Sequence, residues 1–186
     1  KSGNSGIYLQ GRYELQIADS WNVKQARYSD FGGVYKNSEK ASDKSFPGVP
    51  PLRNAAKAPG LWQKLKIHFQ APKFDGNGKK IANAKFVSVE LNGVRIHNNV
   101  EVTYPTAGAL SPKESSTGPL MIQGDHGSVA FRNIHYTLFE ESGVQLSDLT
   151  YNTYKGEING LDEMAKHPVF SPSPTSRSAD STKTLS

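Results

Sequence analysis

One stretch of the chain decides the fold: Asn4-Ser-Gly-Ile-Tyr-Leu-Gln-Gly-Arg-Tyr-Glu-Leu-Gln-Ile17. A three-residue loop at residues 10–12 pairs Tyr8 with Glu14, because Gly11 readily adopts left-handed turn geometry. Tyr8, Glu14 and Gln16 then share a polar face, opposite an apolar face formed by Ile7, Leu9, Tyr13, Leu15 and Ile17. A two-residue loop would mix the faces. The stretch therefore predicts a hairpin with its apolar face in a core and its polar face in a cleft.

Further strand signals follow a long polar connection, from Asp19 to Gly60, which we expect to form a groove wall because loops of this length are usually functional. Residues 61–69 alternate between apolar and polar side chains, which predicts a half-buried strand. The Asn92-Gly93 dipeptide favours a tight hairpin turn, which would pair Leu91 with Val94, Glu90 with Arg95 and Val89 with Ile96.

A second informative motif is Ile122-Gln-Gly-Asp-His-Gly-Ser-Val-Ala-Phe-Arg-Asn-Ile134. Its apolar residues predict a strand through Phe139, but their parity changes by one residue, which favours a bulge at Arg132 and Asn133. We therefore predict a β-sandwich domain over residues 1–139. Residues 140–186, with a weak strand signal at 149–158 and a Pro- and Ser-rich end, are predicted to be an irregular extension towards another domain.

The composition excludes several classes of protein. The chain has 186 residues, a net charge of +5 and no cysteine, so it has neither a disulfide framework nor a thiolate metal site. Lys and Arg are interleaved with Asp and Glu rather than gathered in blocks, which argues against nucleic-acid binding. No apolar run of about 18 residues predicts a membrane span, and the start at Lys1 carries no signal peptide.

Taken together, the motifs resemble the 3-keto-disaccharide hydrolase family, which has a concanavalin-A-like jelly roll. The resemblance rests on stretches in family order: Gly3–Gln10, Tyr13–Ser20, Gly32–Tyr35, Asn54–Trp62, Leu91–Val94, Leu120–Gly127 and Val129–Ile134. Domains of this family begin well before the Gly-Asn-Ser-Gly-Ile motif. We therefore expect the chain to lack N-terminal strands, which another domain or another chain would supply.

The resemblance implies that the protein cleaves 3-keto-glycosides or 3-keto-disaccharides. The ketone acidifies the hydrogen on the adjacent ring carbon, so a base can form an enolate that expels the glycosidic oxygen, and water addition completes hydrolysis. The predicted catalytic residues are Glu14, His126, Asp19 and Arg132. Because both motifs border one groove in the resembling family, Glu14 and His126 are expected to lie close together, with Arg132 or Asn133 nearby. The predicted substrate-binding residues are Tyr8, Gln16, Tyr35, Asn54, Lys57, Trp62, Gln123 and Asn133.

Each assignment has a structural alternative. Glu14 is otherwise a solvated strand residue, Asp19 a turn residue and His126 a loop tip, while Trp62 could pack at a sandwich edge. Arg132 and Asn133 could simply stabilise their bulge. No His and carboxylate pair has tight metal spacing, so a divalent ion such as calcium would depend on carboxylates that folding brings together.

Three functions fit these observations. The preferred one is a keto-glycoside hydrolase or lyase; a carbohydrate-binding module would use the same groove without chemistry, since jelly rolls support both. A hydrolase of unoxidised glucans would need two suitably spaced carboxylates, whereas the first hairpin offers only Glu14. The expected partner is an oligosaccharide or glycoside, with no nucleic acid. The family resemblance implies a periplasmic or secreted bacterial location.

Overall fold

The structure is a computed structural model that describes residues 3–37 and 45–138. Its strands are β1 (Asn4–Leu9), β2 (Tyr13–Ala18), β3 (Leu65–Gln70), β4 (Lys73–Phe74), β5 (Lys80–Ala82), β6 (Ala84–Leu91), β7 (Val94–Val102) and β8 (Met121–Ile122). Every strand pairing is antiparallel, and the described residues contain no helix. The predicted all-β class is confirmed, and the architecture is consistent with a β-sandwich.

The first sheet has the strand order β2-β1-β8. The predicted hairpin register is confirmed, with Leu9 opposite Tyr13 and Tyr8 opposite Glu14. Gln10 and Gly11 both have positive φ, 55° and 61°, so the loop uses left-handed geometry at two residues rather than at Gly11 alone. Beyond β2, isolated bridges join Leu15 to Val34 and Val34 to Val49, so the long connection extends the sheet on that side.

The second sheet has the order β3-β6-β7, with β6 and β7 joined by the predicted Asn92-Gly93 turn. Leu91 pairs with Val94 and Glu90 with Arg95 as predicted. The predicted pairing of Val89 with Ile96 is wrong, because the register shifts between Val89 and Glu90 and sets Val89 opposite His97. The irregularity buries two consecutive side chains of β7, and His97 Nε2 lies 2.6 Å from the Gly32 carbonyl oxygen.

The core consists of apolar side chains from both sheets. Tyr13 contacts Phe69 with ring centroids 5.5 Å apart, and Phe69 contacts Phe86 at 5.3 Å. The predicted apolar face of the hairpin is therefore confirmed for Tyr13 and Leu15, which are fully buried in the core, and Leu9 and Ile17 pack against it. β3 begins at Leu65 rather than Leu61.

The chain divides into two compact units, Lys1–Ala130 and Phe131–Ser186. In the second unit the structure describes residues 131–138, which are mostly exposed and form no strand. The strand predicted through Phe139 is therefore wrong within the described residues, where β8 ends at Ile122, because alternation alone cannot supply the neighbour that a ladder needs. The predicted domain boundary at 139 and the strand at 149–158 lie outside the described residues.

In the part of the chain that the structure describes, no helix is long and apolar enough to cross a membrane.

Candidate active site

The polar face of the first hairpin is the centre of the candidate site. Tyr8, Glu14 and Gln16 lie on this face together, as the register requires. Their exposed fractions are only 2%, 3% and 5%, so little of this face meets solvent, and the cleft predicted for it stays a prediction. Loop segments cover the face: the Tyr8 hydroxyl donates to the Ala107 carbonyl oxygen at 3.0 Å, and Gln16 Nε2 donates to the Ser29 carbonyl oxygen at 3.3 Å.

The backbone of Glu14 is held at the outer edge of β2. Its N–H donates to Thr106 Oγ1 at 3.0 Å, and its carbonyl oxygen accepts a hydrogen bond from the Tyr35 N–H at 3.1 Å. Thr106 is itself buried and donates to the Arg12 carbonyl oxygen at 3.1 Å. Two connections that are distant in sequence therefore fix the position of one carboxyl-bearing residue.

Burial dominates the electrostatics of Glu14. Desolvation disfavours the carboxylate and raises the pKa of Glu14 to about 7, although a hydrogen bond from Tyr8 and the charge of His126 act in the opposite direction. Burial also raises the pKa of Tyr8, and the neighbouring Glu14 charge adds to that effect. Glu14 is therefore a carboxyl group that can gain or lose a proton near neutral pH, as acid–base catalysis requires.

The second predicted motif lies beside this face because β8 pairs with β1 on the side away from β2. The Gln123 N–H donates to the Gly6 carbonyl oxygen at 2.9 Å, and Ser5 Oγ donates to the Gln123 carbonyl oxygen at 2.6 Å. These bonds attach the start of the Gly-Asp-His-Gly turn to β1. The charge of His126 acts on Glu14, so the two predicted catalytic residues are brought together across more than a hundred residues of sequence.

The imidazole of His126 is oriented by its neighbour. Nδ1 lies 2.6 Å from Asp125 Oδ1 and 3.2 Å from Gln123 Nε2. The short contact with a carboxylate favours a hydrogen on Nδ1, which leaves the lone pair of the neutral ring on Nε2. The His126 side chain is 52% exposed. It is therefore an accessible base supported by a carboxylate, and its hydrogen bond lowers the pKa of Asp125.

The other predicted residues of the first unit have different surroundings. Asp19 is exposed, and its Oδ1 accepts a hydrogen bond from the Trp21 N–H at 3.2 Å, which is a turn contact. Tyr35 is half-buried and packs edge-on against Tyr28 with ring centroids 5.4 Å apart. Lys57 and Trp62 are exposed. Their roles in the site stay predictions.

The side-chain amide of Asn54 forms hydrogen bonds to the backbone of the protein itself. Its Nδ2 donates to the carbonyl oxygens of Ser20 and Val23, at 2.6 and 3.0 Å, and its Oδ1 accepts from the Ala56 N–H at 3.0 Å. Three bonds from one amide join two parts of the long connection.

We expect Asn54→Ala to lower the free energy of unfolding by about 1–3 kcal/mol, because it leaves backbone groups without their partners. The keto-glycoside turnover expected from the family resemblance, measured well below the melting temperature, should not change. Thermal unfolding monitored by circular dichroism checks the first expectation, with Asn98→Ala on the exposed part of β7 as the matched control. Unchanged stability combined with lost sugar binding would instead support the predicted contact with substrate.

Arg132 and Asn133 lie in the second unit, where both are exposed and Asn133 has a φ of 53°. Their predicted approach to Glu14 therefore stays a prediction. Among residues 3–37 and 45–138 no group of three or more His, Asp or Glu side chains could hold a metal ion.

Three further contributors were not predicted from the sequence. Asp125 orients His126, Thr106 holds the Glu14 backbone, and Gly6 lies directly beside the Glu14 side chain. The adjacency of Asp125 and His126 in one tight turn was a usable signal. The sequence carries no comparable signal for Thr106, because Thr106 lies in a connecting segment in which apolar and polar residues follow no regular pattern.

The chain belongs to the family described as the 3-keto-alpha-glucoside-1,2-lyase-like domain, whose model matches residues 1–137. This confirms the resemblance found in the sequence. A proposed glycosyl hydrolase from Parabacteroides distasonis, known from a crystal structure, is 31% identical and superimposes with a TM-score of 0.51. The match covers 65% of this chain and 47% of the other, so the chain spans about half the length of that structure. No curated protein matches.

Proposed function

We propose that this protein cleaves 3-keto-glycosides by removing the proton next to the ketone and eliminating the glycosidic oxygen. In this reaction the ring C–H bond and the glycosidic C–O bond break, a ring C=C bond forms, and the departing oxygen takes up a proton. Addition of water across the new double bond gives the free keto-sugar. The family description, which refers to 3-keto-alpha-glucosides, supports this substrate class, and the structural neighbour, described as a glycosyl hydrolase, supports activity on a glycosidic bond. A periplasmic or secreted bacterial location is part of the same proposal.

One observation carries the assignment of residues: an exposed imidazole, held by a carboxylate, interacts with a buried carboxyl group whose pKa is about 7. His126 Nε2 accepts the ring proton, since it is the accessible basic atom of the pair. Asp125 keeps the ring in the required tautomer and stabilises the imidazolium. Glu14, as a carboxylate, adds a second negative charge near the ring.

Tyr8 couples Glu14 to the covering loop. Its single hydroxyl hydrogen has two acceptors, the Ala107 carbonyl oxygen and the Glu14 carboxylate. When Glu14 is ionised, donation from Tyr8 stabilises the carboxylate. When Glu14 is protonated, the carboxyl group donates to Tyr8, and Tyr8 donates to Ala107. The pair therefore adjusts to either charge state of the site without moving a strand.

A carbohydrate-binding module remains the second candidate, because two tryptophans, Trp21 and Trp62, are about half exposed. Exposed indole rings provide flat apolar platforms that suit sugar rings. This function needs no acid–base pair, so it gives no reason for a buried carboxyl group beside an oriented imidazole.

The full-length protein should be incubated with a 3-keto-glucoside and, separately, with its unoxidised parent. We expect the released aglycone and a keto-sugar product only from the oxidised substrate, with slower turnover when the hydrogen next to the ketone is replaced by deuterium. Cleavage of both substrates would indicate an ordinary glycosidase. Binding of either sugar without any cleavage would support the binding module.

A further inference from the structure

Gly6 makes the closest approach to the Glu14 side chain of any described glycine. It lies on the same face of the hairpin as Glu14, opposite Gln16 and diagonal to Glu14. A Cβ atom at Gly6 would lie 2.9 Å from both Cγ and Cδ of Glu14, and it would overlap Oε1. Real Cβ atoms do not approach other heavy atoms so closely. The Glu14 side chain therefore occupies the space that any other residue at position 6 would fill.

Backbone geometry does not explain this glycine. The chain has many glycines at positive φ, where L side chains are strained, but Gly6 is not among them. A residue with a side chain could adopt the Gly6 backbone conformation, and a glycine inside a strand weakens it. What the position requires is the absence of a Cβ atom.

Gly6 also lies where β1 contacts the start of the Gly-Asp-His-Gly turn, which contains His126. Its carbonyl oxygen accepts the hydrogen bond from the Gln123 N–H at 2.9 Å. A carboxyl group lying across Gly6 crosses β1 on the side of β8, which is the side from which the charge of His126 acts on it. With a side chain at position 6, Glu14 would have to adopt a different rotamer.

We propose that Gly6 is a positioning residue whose missing side chain lets the Glu14 carboxyl group lie across β1 towards His126. The effect on turnover rests on the proposed function. The effects on stability and on the titration of Glu14 do not depend on it.

A double-mutant cycle tests the proposal without any substrate. We expect Gly6→Ala to lower the melting temperature of the otherwise unchanged protein by about 5 °C or more. In a Glu14→Ala background, where the overlapping atoms are gone, most of that loss should disappear. Gly76→Ala is the matched control, because a Cβ atom there would meet nothing within 4 Å and the backbone is not at positive φ. An equal loss in both backgrounds would overturn the proposal.

The titration of Glu14 gives a second readout. The carboxyl carbon resonance of Glu14, identified by its disappearance in Glu14→Gln, should change its midpoint by more than half a pH unit in Gly6→Ala and stay unchanged in Gly76→Ala. An unchanged midpoint in Gly6→Ala would contradict a positioning role. Turnover of a 3-keto-glucoside should fall at least tenfold in Gly6→Ala. If the parent protein shows no turnover, the proposed function fails, and the cycle and the titration still decide the role of Gly6.

Discussion

Replacing His126 with alanine is expected to lower turnover of a 3-keto-glucoside by about a hundredfold or more. The imidazole is the accessible base of the site, and proton transfer is felt mainly in the transition state, so substrate binding should change much less than turnover. Steady-state kinetics together with calorimetric binding of the unoxidised parent sugar separate the two effects. His68→Ala on β3, in the second sheet, is the matched control and should retain activity.

The same variant distinguishes the two candidate functions. A binding module predicts no turnover in the unmodified protein and weaker sugar binding in His126→Ala. Elimination activity that survives the loss of both His126 and Glu14 would refute the assignment of these residues, while leaving the family membership unchanged.

Replacing Glu14 with glutamine is expected to lower turnover by about a hundredfold or more and, at the same time, to stabilise the protein at alkaline pH. The pKa of Glu14 is about 7 in the folded protein and 4.5 in its ordinary state. The pKa of Glu14 is higher in the folded protein than in the unfolded chain. Its stabilising contribution to the free energy of unfolding is therefore fully present below pH 4.5 and is lost as the pH rises through 7. Glutamine keeps a similar shape and carries no charge, so this loss does not occur.

The expected difference is measurable by urea unfolding at several pH values. Relative to the parent protein, Glu14→Gln should gain about 1–3 kcal/mol of unfolding free energy between pH 5 and pH 8, with no further gain above pH 8.5. Glu90→Gln on β6, a half-exposed carboxylate in a surface ion pair with Arg95, is the control and should show no such gain. A parallel pH dependence of Glu14→Gln and the parent would mean that Glu14 is not buried in its ionised form.

Local signals predicted the first hairpin and the Asn92-Gly93 turn, because loop length and the sorting of apolar and polar side chains determine register over short distances. Conversely, the register shift between Val89 and Glu90 could not be predicted from the sequence, since Val89 suits a buried position whether it pairs with Ile96 or with His97. The register predicted from the turn, with Val89 opposite Ile96, would place His97 opposite Ser88; in the structure His97 lies opposite Val89 and is buried.

The candidate site could also be predicted only in part from the sequence. That Glu14 shares a face with Tyr8 follows from the hairpin, and its approach to His126 was expected from the family resemblance. The cover over that face was not predictable, because Thr106 and Ala107 lie in an aperiodic connection far from the hairpin in sequence. Burial changes the chemistry of Glu14, since the same carboxyl group in an open cleft would titrate near its ordinary value.

The contact between His97 and Gly32 has a practical consequence for enzymology. Burial lowers the pKa of His97, so its contribution to folding is complete above pH 6.5 and is lost as acid charges the ring. Gly32 and Gly33 form backbone hydrogen bonds with Gln16 on β2, the strand that carries Glu14. Acid will thus loosen the support of the site. A fall in rate at low pH can therefore reflect lost structure as well as altered chemistry, and only assays paired with unfolding curves at each pH will tell the two apart.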